Sequence, residues 1–195
     1  MKNFAAHAIS FICHPSFVAI LATFLITLHS YKNLTAAFMW AFVMVFIVLV
    51  VFFFELYGIK KGFFSDLDVS KRNQRRPLFI FVFMMVIIFM GSIYLFHGPM
   101  DLLAGGIYII AGIVIFILVN RQIKASVHVG ALSAFFVSMA LLFGGIFYLG
   151  LLFIPLISWS RVVLHRHTIP EVVVGASLGI SLTVVIYIVI QYFNL

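Results

Sequence analysis

Charged residues are scarce in this sequence. Only 9% of its 195 residues are Asp, Glu, Lys or Arg, whereas 65% are apolar. Soluble domains carry about 25% charged residues, so this deficit excludes an ordinary soluble protein. Apolar runs of about 20 residues recur along the chain, which is the length that a helix needs to cross a bilayer core of about 30 Å. The sequence therefore predicts an integral membrane protein.

Cysteine is nearly absent, and the alternating pattern of strands is absent. Cys13 is the only cysteine, which excludes an intramolecular disulfide and argues against a metal–thiolate site. The apolar runs are too long and too uniform for the alternating strands of an outer-membrane barrel. Because the backbone must satisfy its own hydrogen bonds in lipid, we expect an all-α, polytopic transmembrane helix bundle.

Seven apolar segments predict six to seven spans in a single integral membrane domain over residues 1–195. The segments cover residues 8–29, 35–57, 78–96, 102–119, 129–145, 146–160 and 171–192. The first is longer than the core of a signal peptide, and we read it as a span. The fifth and sixth share the junction "FGGIFY", whose glycines either turn the chain or let two helices pack closely.

The polar stretches predict the orientation in the membrane. They cover residues 58–77, 120–130 and 160–171, with two predicted spans between neighbours, so we expect all three on one face together with the N-terminus. That face collects every Lys and Arg except Lys32. The positive-inside rule then makes it cytoplasmic, in the inner (cell) membrane of a bacterium or archaeon. Basic residues that flank membrane helices lie near anionic headgroups, and this accounts for the net charge of +7. No nucleic-acid partner is therefore expected.

The stretch "SRVVLHRHTIPEVVVGASLG" concentrates ionisable residues in an otherwise apolar region. A helix that begins near Thr168 would place His167 at an N-terminus that favours anions. Glu171, four residues on, would hold the imidazole tautomer that leaves the other ring nitrogen free to attack. Arg161 offers a planar fork of donors for a phosphoryl group. Alternatively, Thr168-Ile-Pro-Glu171 is a capping box in which Glu171 only caps the helix.

This stretch resembles the third signature of the type-2 phosphatidate phosphatase superfamily, the lipid phosphate phosphatases, which reads SR-x5-H-x3-D and is commonly followed by two glycines. The matching positions are Ser160, Arg161, His167, Glu171, Gly175 and Gly179. Glu171 departs from the family's aspartate. The resemblance implies that His167 is the nucleophile, that Glu171 orients it, and that Arg161 and Ser160 bind the phosphate.

A second stretch, "KASVHVG", is similar to the family's second signature, PSGH. Ser126 and His128 keep the spacing, while Ala125 and Val127 replace the proline and glycine. The resemblance implies that His128 protonates the leaving oxygen and that Ser126 donates to a phosphoryl oxygen. Alternatively, Ser126 caps the next helix and His128 lies in the headgroup zone.

The family's first signature, K-x6-RP, is matched only at its end. Arg76 precedes a proline as the signature requires, but Val69 stands at the position of the lysine. By resemblance Arg76 binds the phosphate, with Lys71 or Arg72 supplying the missing cation. Alternatively, "KRNQRR" is a basic patch that holds anionic lipid.

Taken as a whole, the resemblance implies a lipid phosphate phosphatase-like core over about residues 58–192. The implied activity is metal-independent and cofactor-free hydrolysis of a membrane lipid phosphate, or of a polyprenyl mono- or diphosphate, through a phosphohistidine.

Two alternatives stay open. Asp66 and Asp68 form a D-x-D pair that can hold Mg²⁺, as in membrane prenyl or alcohol transferases, although no second acidic cluster accompanies them. The protein can also be a non-catalytic binder or transporter of lipid phosphates. The sequence specifies neither the lipid nor the oligomeric state, and it assigns no role to His14.

Overall fold

The computed structural model describes residues 2–193, and all regular secondary structure among them is helical. The described helices are α1 Lys2–Ile12, α2 Pro15–Tyr31, α3 Leu34–Lys60, α4 Arg75–Leu95, α5 Met100–Val119, α6 Val127–Phe143, α7 Phe153–Val163 and α8 Ile169–Phe193. Short 3₁₀ helices precede α4 and α7, at Arg72–Gln74 and Gly145–Leu152. The all-α prediction is confirmed.

The helices have the length and composition of membrane spans. Within the described residues, 5 are long and apolar enough to cross a bilayer, and the number rises to 6 if α1 and α2, a bent pair, count as one span. The sequence predicts six to seven. The structure has fewer candidate spans than predicted partly because α6 is short. Its 17 residues give a helix about 26 Å long at about 1.5 Å per residue, which is less than the thickness of a bilayer core, about 30 Å. The chain is an integral membrane protein with five to six candidate spans.

The predicted span over residues 8–29 is broken, because α1 and α2 form a pair that is bent by 42°. The helix is interrupted at residues 13–14, between α1 and α2. His14 precedes a proline, and a residue in that position is driven away from helical backbone angles. Pro15 itself is the first residue of α2, where its missing N–H costs nothing.

The chain divides into two compact units, which we call the terminal unit and the central unit. The terminal unit comprises Met1–Val18 and Leu118–Leu195, and the central unit comprises Ala19–Ile117. The prediction of a single domain over residues 1–195 stays a prediction. The buried core of the terminal unit includes Val129, Leu132, Ile157 and Val172, and that of the central unit includes Trp40, Met44, Phe89, Ile93 and Leu102.

In the terminal unit, the N-terminal turns of α6 and α8 lie side by side. A Cβ placed on Gly175 would lie 2.5 Å from the carbonyl oxygen of Ser126, and one on Gly179 would lie 2.2 Å from that of Gly130. The backbone N–H of Ser126 donates to the carbonyl oxygen of Glu171 over 3.0 Å. Only glycine permits such a close backbone approach. The two glycines therefore bring the second and third signature segments together.

The "FGGIFY" junction turns the chain. Gly144 and Gly145 have φ values of 68° and 50°, which other residues adopt at a cost. A Cβ on either glycine would meet nothing within 4 Å. Of the two roles open at this junction, the structure therefore supports the turn and not the close packing of helices.

Candidate functional site

The turn between α7 and α8 explains the spacing of Arg161 and His167. His165 has a φ of 52°, the left-handed conformation that ends many helices. The carbonyl oxygen of Arg161 accepts hydrogen bonds from the backbone N–H groups of Arg166, over 3.1 Å, and His167, over 3.2 Å. The five intervening residues thus form a closed turn. It holds His167 near the C-terminal end of α7, two residues before α8 begins.

The imidazole of His167 is buried and held at one nitrogen. Its Nδ1 lies 2.9 Å from Oε2 of Glu171 and 3.1 Å from the carbonyl oxygen of Lys124. A carboxylate and a carbonyl can only accept hydrogen bonds, so Nδ1 carries the proton. In the neutral ring the lone pair is then on Nε2, which is the tautomer that a nucleophilic histidine requires.

Glu171 orients His167 and caps α8 at the same time. The Oε2 atom that contacts His167 also accepts the backbone N–H of Thr168 over 3.1 Å, which is the reciprocal bond of a capping box. The two interpretations that the sequence left open are therefore compatible. The cap fixes the carboxylate against the helix, and the fixed carboxylate in turn holds the ring.

Lys124 links the segment before α6 to the turn before α8. Its Nζ donates to the carbonyl oxygen of Arg166 over 2.7 Å and lies 3.9 Å from Oε2 of Glu171. Together with the backbone contact to His167, this places a cation beside the Glu171 carboxylate. Lys124 was not predicted as a site residue, although its position two residues before Ser126 was an available signal.

Arg161 and Ser160 are both held by α1. Arg161 is only 1% exposed, and its Nη1 donates to the hydroxyl of Ser10 over 2.6 Å. The hydroxyl of the fully buried Ser160 donates to the carbonyl oxygen of Ala6 over 2.7 Å. Ser160 therefore anchors α7 to α1 in this structure, and its contact with phosphate stays a prediction.

Ser126 and His128 lie at the start of α6. Ser126 is the N-cap residue, and its side chain accepts the backbone N–H of Val129, so its capping role is confirmed. His128 is buried, and its ring contacts that of His14 edge to face, with 4.9 Å between the ring centroids and an interplanar angle of 84°. The sequence assigned no role to His14.

The remaining predicted phosphate ligands belong to the central unit. Lys71, Arg72 and Arg76 are all exposed there, around the 3₁₀ turn that leads into α4. The neighbouring Arg75 is buried, and its Nε donates to the carbonyl oxygen of Val69 over 3.2 Å. The predicted residues that the terminal unit brings together are Ser126, His128, Ser160, Arg161, His167 and Glu171.

Asp66 of the D-x-D pair closes a loop in the central unit. Its Oδ1 accepts from the hydroxyl of Ser70 over 2.9 Å, and its Oδ2 accepts from the hydroxyl of Ser65 over 2.9 Å. Both carboxylate oxygens thus contact hydroxyl donors. Short polar side chains commonly hold turns in this way, which favours a structural role for Asp66 over one in a magnesium site.

Comparison with known proteins adds no relative. No family model, no curated protein and no solved structure matches the chain. The resemblance to lipid phosphate phosphatases rests on the signature residues themselves.

Proposed function

We propose that this protein is a metal-independent lipid phosphate phosphatase with His167 as its nucleophile. Its substrate is a membrane lipid carrying a phosphomonoester or a diphosphate, such as phosphatidate or a polyprenyl phosphate. The observation that carries the proposal is the position of the Nδ1 atom of His167, between the Glu171 carboxylate and the Lys124 carbonyl oxygen. That arrangement supports attack by Nε2.

The first half of the proposed reaction forms a phosphohistidine. The lone pair on Nε2 of His167 attacks phosphorus in line, and the bond from phosphorus to the leaving oxygen breaks. His128 gives its proton to that oxygen, so that a lipid alcohol departs from a phosphomonoester and a lipid monophosphate departs from a diphosphate. The Glu171 carboxylate stabilises the positive charge that the His167 ring acquires, because it already contacts Nδ1.

The second half of the reaction restores the site. His128, now neutral, takes a proton from water, and the resulting hydroxide oxygen attacks phosphorus. The P–N bond breaks, its electron pair returns to Nε2 of His167, and inorganic phosphate leaves. Arg161 stabilises charge on the phosphoryl oxygens in both halves, since guanidinium groups suit phosphate geometry. Phosphate binding by Arg76, Lys71 and Arg72 of the central unit stays a prediction of the resemblance.

The proposal also includes the location of the reaction. The distribution of basic residues between the predicted loops supports a cytoplasmic site on an inner (cell) membrane. A lipid substrate would keep its acyl or prenyl chain in the bilayer while its phosphate reaches the end of the helix bundle.

The experiment is phosphate release by the purified protein in mixed micelles. The substrates are phosphatidate, phosphatidylglycerol phosphate and polyprenyl mono- and diphosphates, each assayed with and without EDTA. We expect release from at least one lipid, loss of at least about 10³-fold with His167→Ala, and little change with His165→Ala. The control is well matched because His165 is exposed and lies only two residues away. Binding of these lipids without any release would contradict the proposal and favour a non-catalytic carrier.

A further inference from the structure

Three positions of the N-terminal segment contact signature residues. Residues 6 and 10 are four apart on α1, which places them along one face of that helix, and His14 follows just after the helix ends. The pairs are Ala6 with Ser160, Ser10 with Arg161, and His14 with His128. All six residues belong to the terminal unit. The N-terminal segment thus contacts both the second and the third signature.

The contact between Ser10 and Arg161 is a hydrogen bond between two buried side chains. Ser10 is 8% exposed and Arg161 is 1% exposed, with 2.6 Å between the hydroxyl oxygen and Nη1. A buried guanidinium needs hydrogen-bond partners to offset its desolvation. Because the guanidinium is planar, a partner at one Nη atom also restricts the direction in which its other N–H groups point.

His14 is fixed by the chain that follows it. Its Nδ1 accepts the backbone N–H of Ser16 over 3.3 Å, so the proton of the neutral ring is on Nε2. The break before Pro15 holds His14 outside regular helix. The ring of His14 then packs edge to face against that of His128, which restricts the rotation of the His128 side chain.

We infer that Ser10 and His14 are positioning residues of this site: Ser10 orients the guanidinium of Arg161, and His14 holds the ring of His128. The inference rests on the proposed function and extends it, because it makes the N-terminal segment part of the phosphatase site. Neither residue touches the reacting atoms. Ser10 acts on phosphate binding, whereas His14 acts on protonation of the leaving group.

The test for Ser10 measures phosphate binding separately from turnover. Calorimetric titration of the solubilised protein with inorganic phosphate gives the affinity, and phosphatidate hydrolysis gives KM and kcat. We expect Ser10→Ala to weaken phosphate binding and raise KM by about tenfold, as for loss of a hydrogen bond to a charged group. Ser10→Thr keeps the hydroxyl and should restore both values to within about threefold.

The matched control for Ser10 is Thr183→Ala. Thr183 is also buried and also donates its hydroxyl to a carbonyl oxygen, that of Gly179 over 2.8 Å, but that bond involves none of the residues proposed to bind the phosphate. We expect wild-type phosphate affinity for this variant. If Ser10→Ala fails to fold, Ser10→Cys, of similar volume but a weaker acceptor, takes its place with the same expected loss.

The test for His14 uses leaving groups of different basicity. A lipid alkoxide needs protonation as it departs, whereas p-nitrophenolate departs without it, so a misplaced acid slows only the first. We expect His14→Ala to lower kcat for phosphatidate at least about tenfold and kcat for p-nitrophenyl phosphate less than about threefold. Ser10→Ala should affect the two substrates equally.

The outcomes separate this inference from the proposed function. If no lipid is hydrolysed but Ser10→Ala weakens phosphate binding and Thr183→Ala does not, Ser10 positions Arg161 and the phosphatase proposal fails. If lipid is hydrolysed but Ser10→Ala binds phosphate like the wild type, the phosphatase proposal survives and the role of Ser10 is overturned. Equal loss on both leaving groups with His14→Ala overturns the role of His14. Absence of phosphate binding by the wild-type protein overturns the inference as a whole.

Discussion

Gly175 and Ser126 approach so closely that a Cβ on Gly175 would lie 2.5 Å from the Ser126 carbonyl oxygen. The contact is between two backbones, so no side chain can rotate to relieve it. It sets the position of α8 against α6, and with it the position of His167 and Glu171 beside the segment that carries Ser126. The geometry of the candidate site therefore depends on a residue that has no side chain.

Gly175→Ala should be destabilising for this reason. A methyl group at 2.5 Å must push α8 away from α6, and overpacking of this kind costs about 1–3 kcal/mol. Thermal unfolding in detergent should show a lower midpoint, together with lower phosphatase activity. Gly91→Ala is the control, because a Cβ on this helical glycine of α4 would meet nothing within 4 Å. Equal midpoints for the two variants would show that the helices are not in this contact.

Substitutions of Glu171 should separate its charge from its capping bond. Glu171→Gln keeps an acceptor for the Thr168 N–H but loses the charge beside His167, so we expect near-wild-type stability and a fall in kcat of about 10²-fold or more. Glu171→Ala also removes the cap and should lose a further ~1 kcal/mol of stability. For both variants, the unfolding midpoint measures the stability and the initial rate of phosphate release gives kcat. Wild-type kcat for Glu171→Gln would refute the orienting role.

Lys124→Met should weaken the turn that carries His167. The ammonium group donates to the Arg166 carbonyl oxygen, and a hydrogen bond to a charged group contributes about 1.5–3 kcal/mol. We expect a lower unfolding midpoint and a lower kcat. Arg121→Met removes an exposed cation three residues earlier and serves as the control for charge alone. Equal unfolding midpoints and equal kcat values for the two variants would show that the Lys124 contact does not stabilise the turn.

Hydrolysis should not depend on the D-x-D pair. Asp66 holds Ser65 and Ser70 in its loop, so Asp66→Ala is expected to lower stability, while phosphate release by the folded fraction persists. EDTA should leave the rate unchanged. Strict dependence on Mg²⁺, with transfer of a prenyl or alcohol group in place of hydrolysis, would instead support the transferase alternative.

The parts of the site that the sequence predicted are those formed by near neighbours in the chain. The four-residue spacing of His167 and Glu171 predicts their contact because it is about one turn of helix. The capping box and the helix that follows it were predicted from local pattern as well. The pairing of α6 with α8 was not predicted, because the positions of Gly175 and Gly179 in the sequence do not show which helix they contact.

The missed parts depend on distant segments or on backbone acceptors. Ser10 contacts Arg161 across 151 positions of the chain, and no local pattern marks a serine in an apolar helix for that role. Lys124 binds a backbone carbonyl oxygen. Because every residue has such an oxygen, the sequence does not indicate which one Lys124 contacts. The break at His14 could have been predicted from Pro15, but the segment was read as a span from its hydropathy without a break.

The central claim is that His167 is the nucleophile, and its most direct measurement is detection of the phosphorylated enzyme. The wild-type protein is mixed with ³²P-labelled substrate, quenched in alkali, digested and analysed by mass spectrometry. We expect an acid-labile, alkali-stable phosphoryl group on the ring of His167, present with His165→Ala and absent with His167→Ala. A phosphoryl group on another residue, or continued lipid hydrolysis by His167→Ala at the wild-type rate, would contradict it.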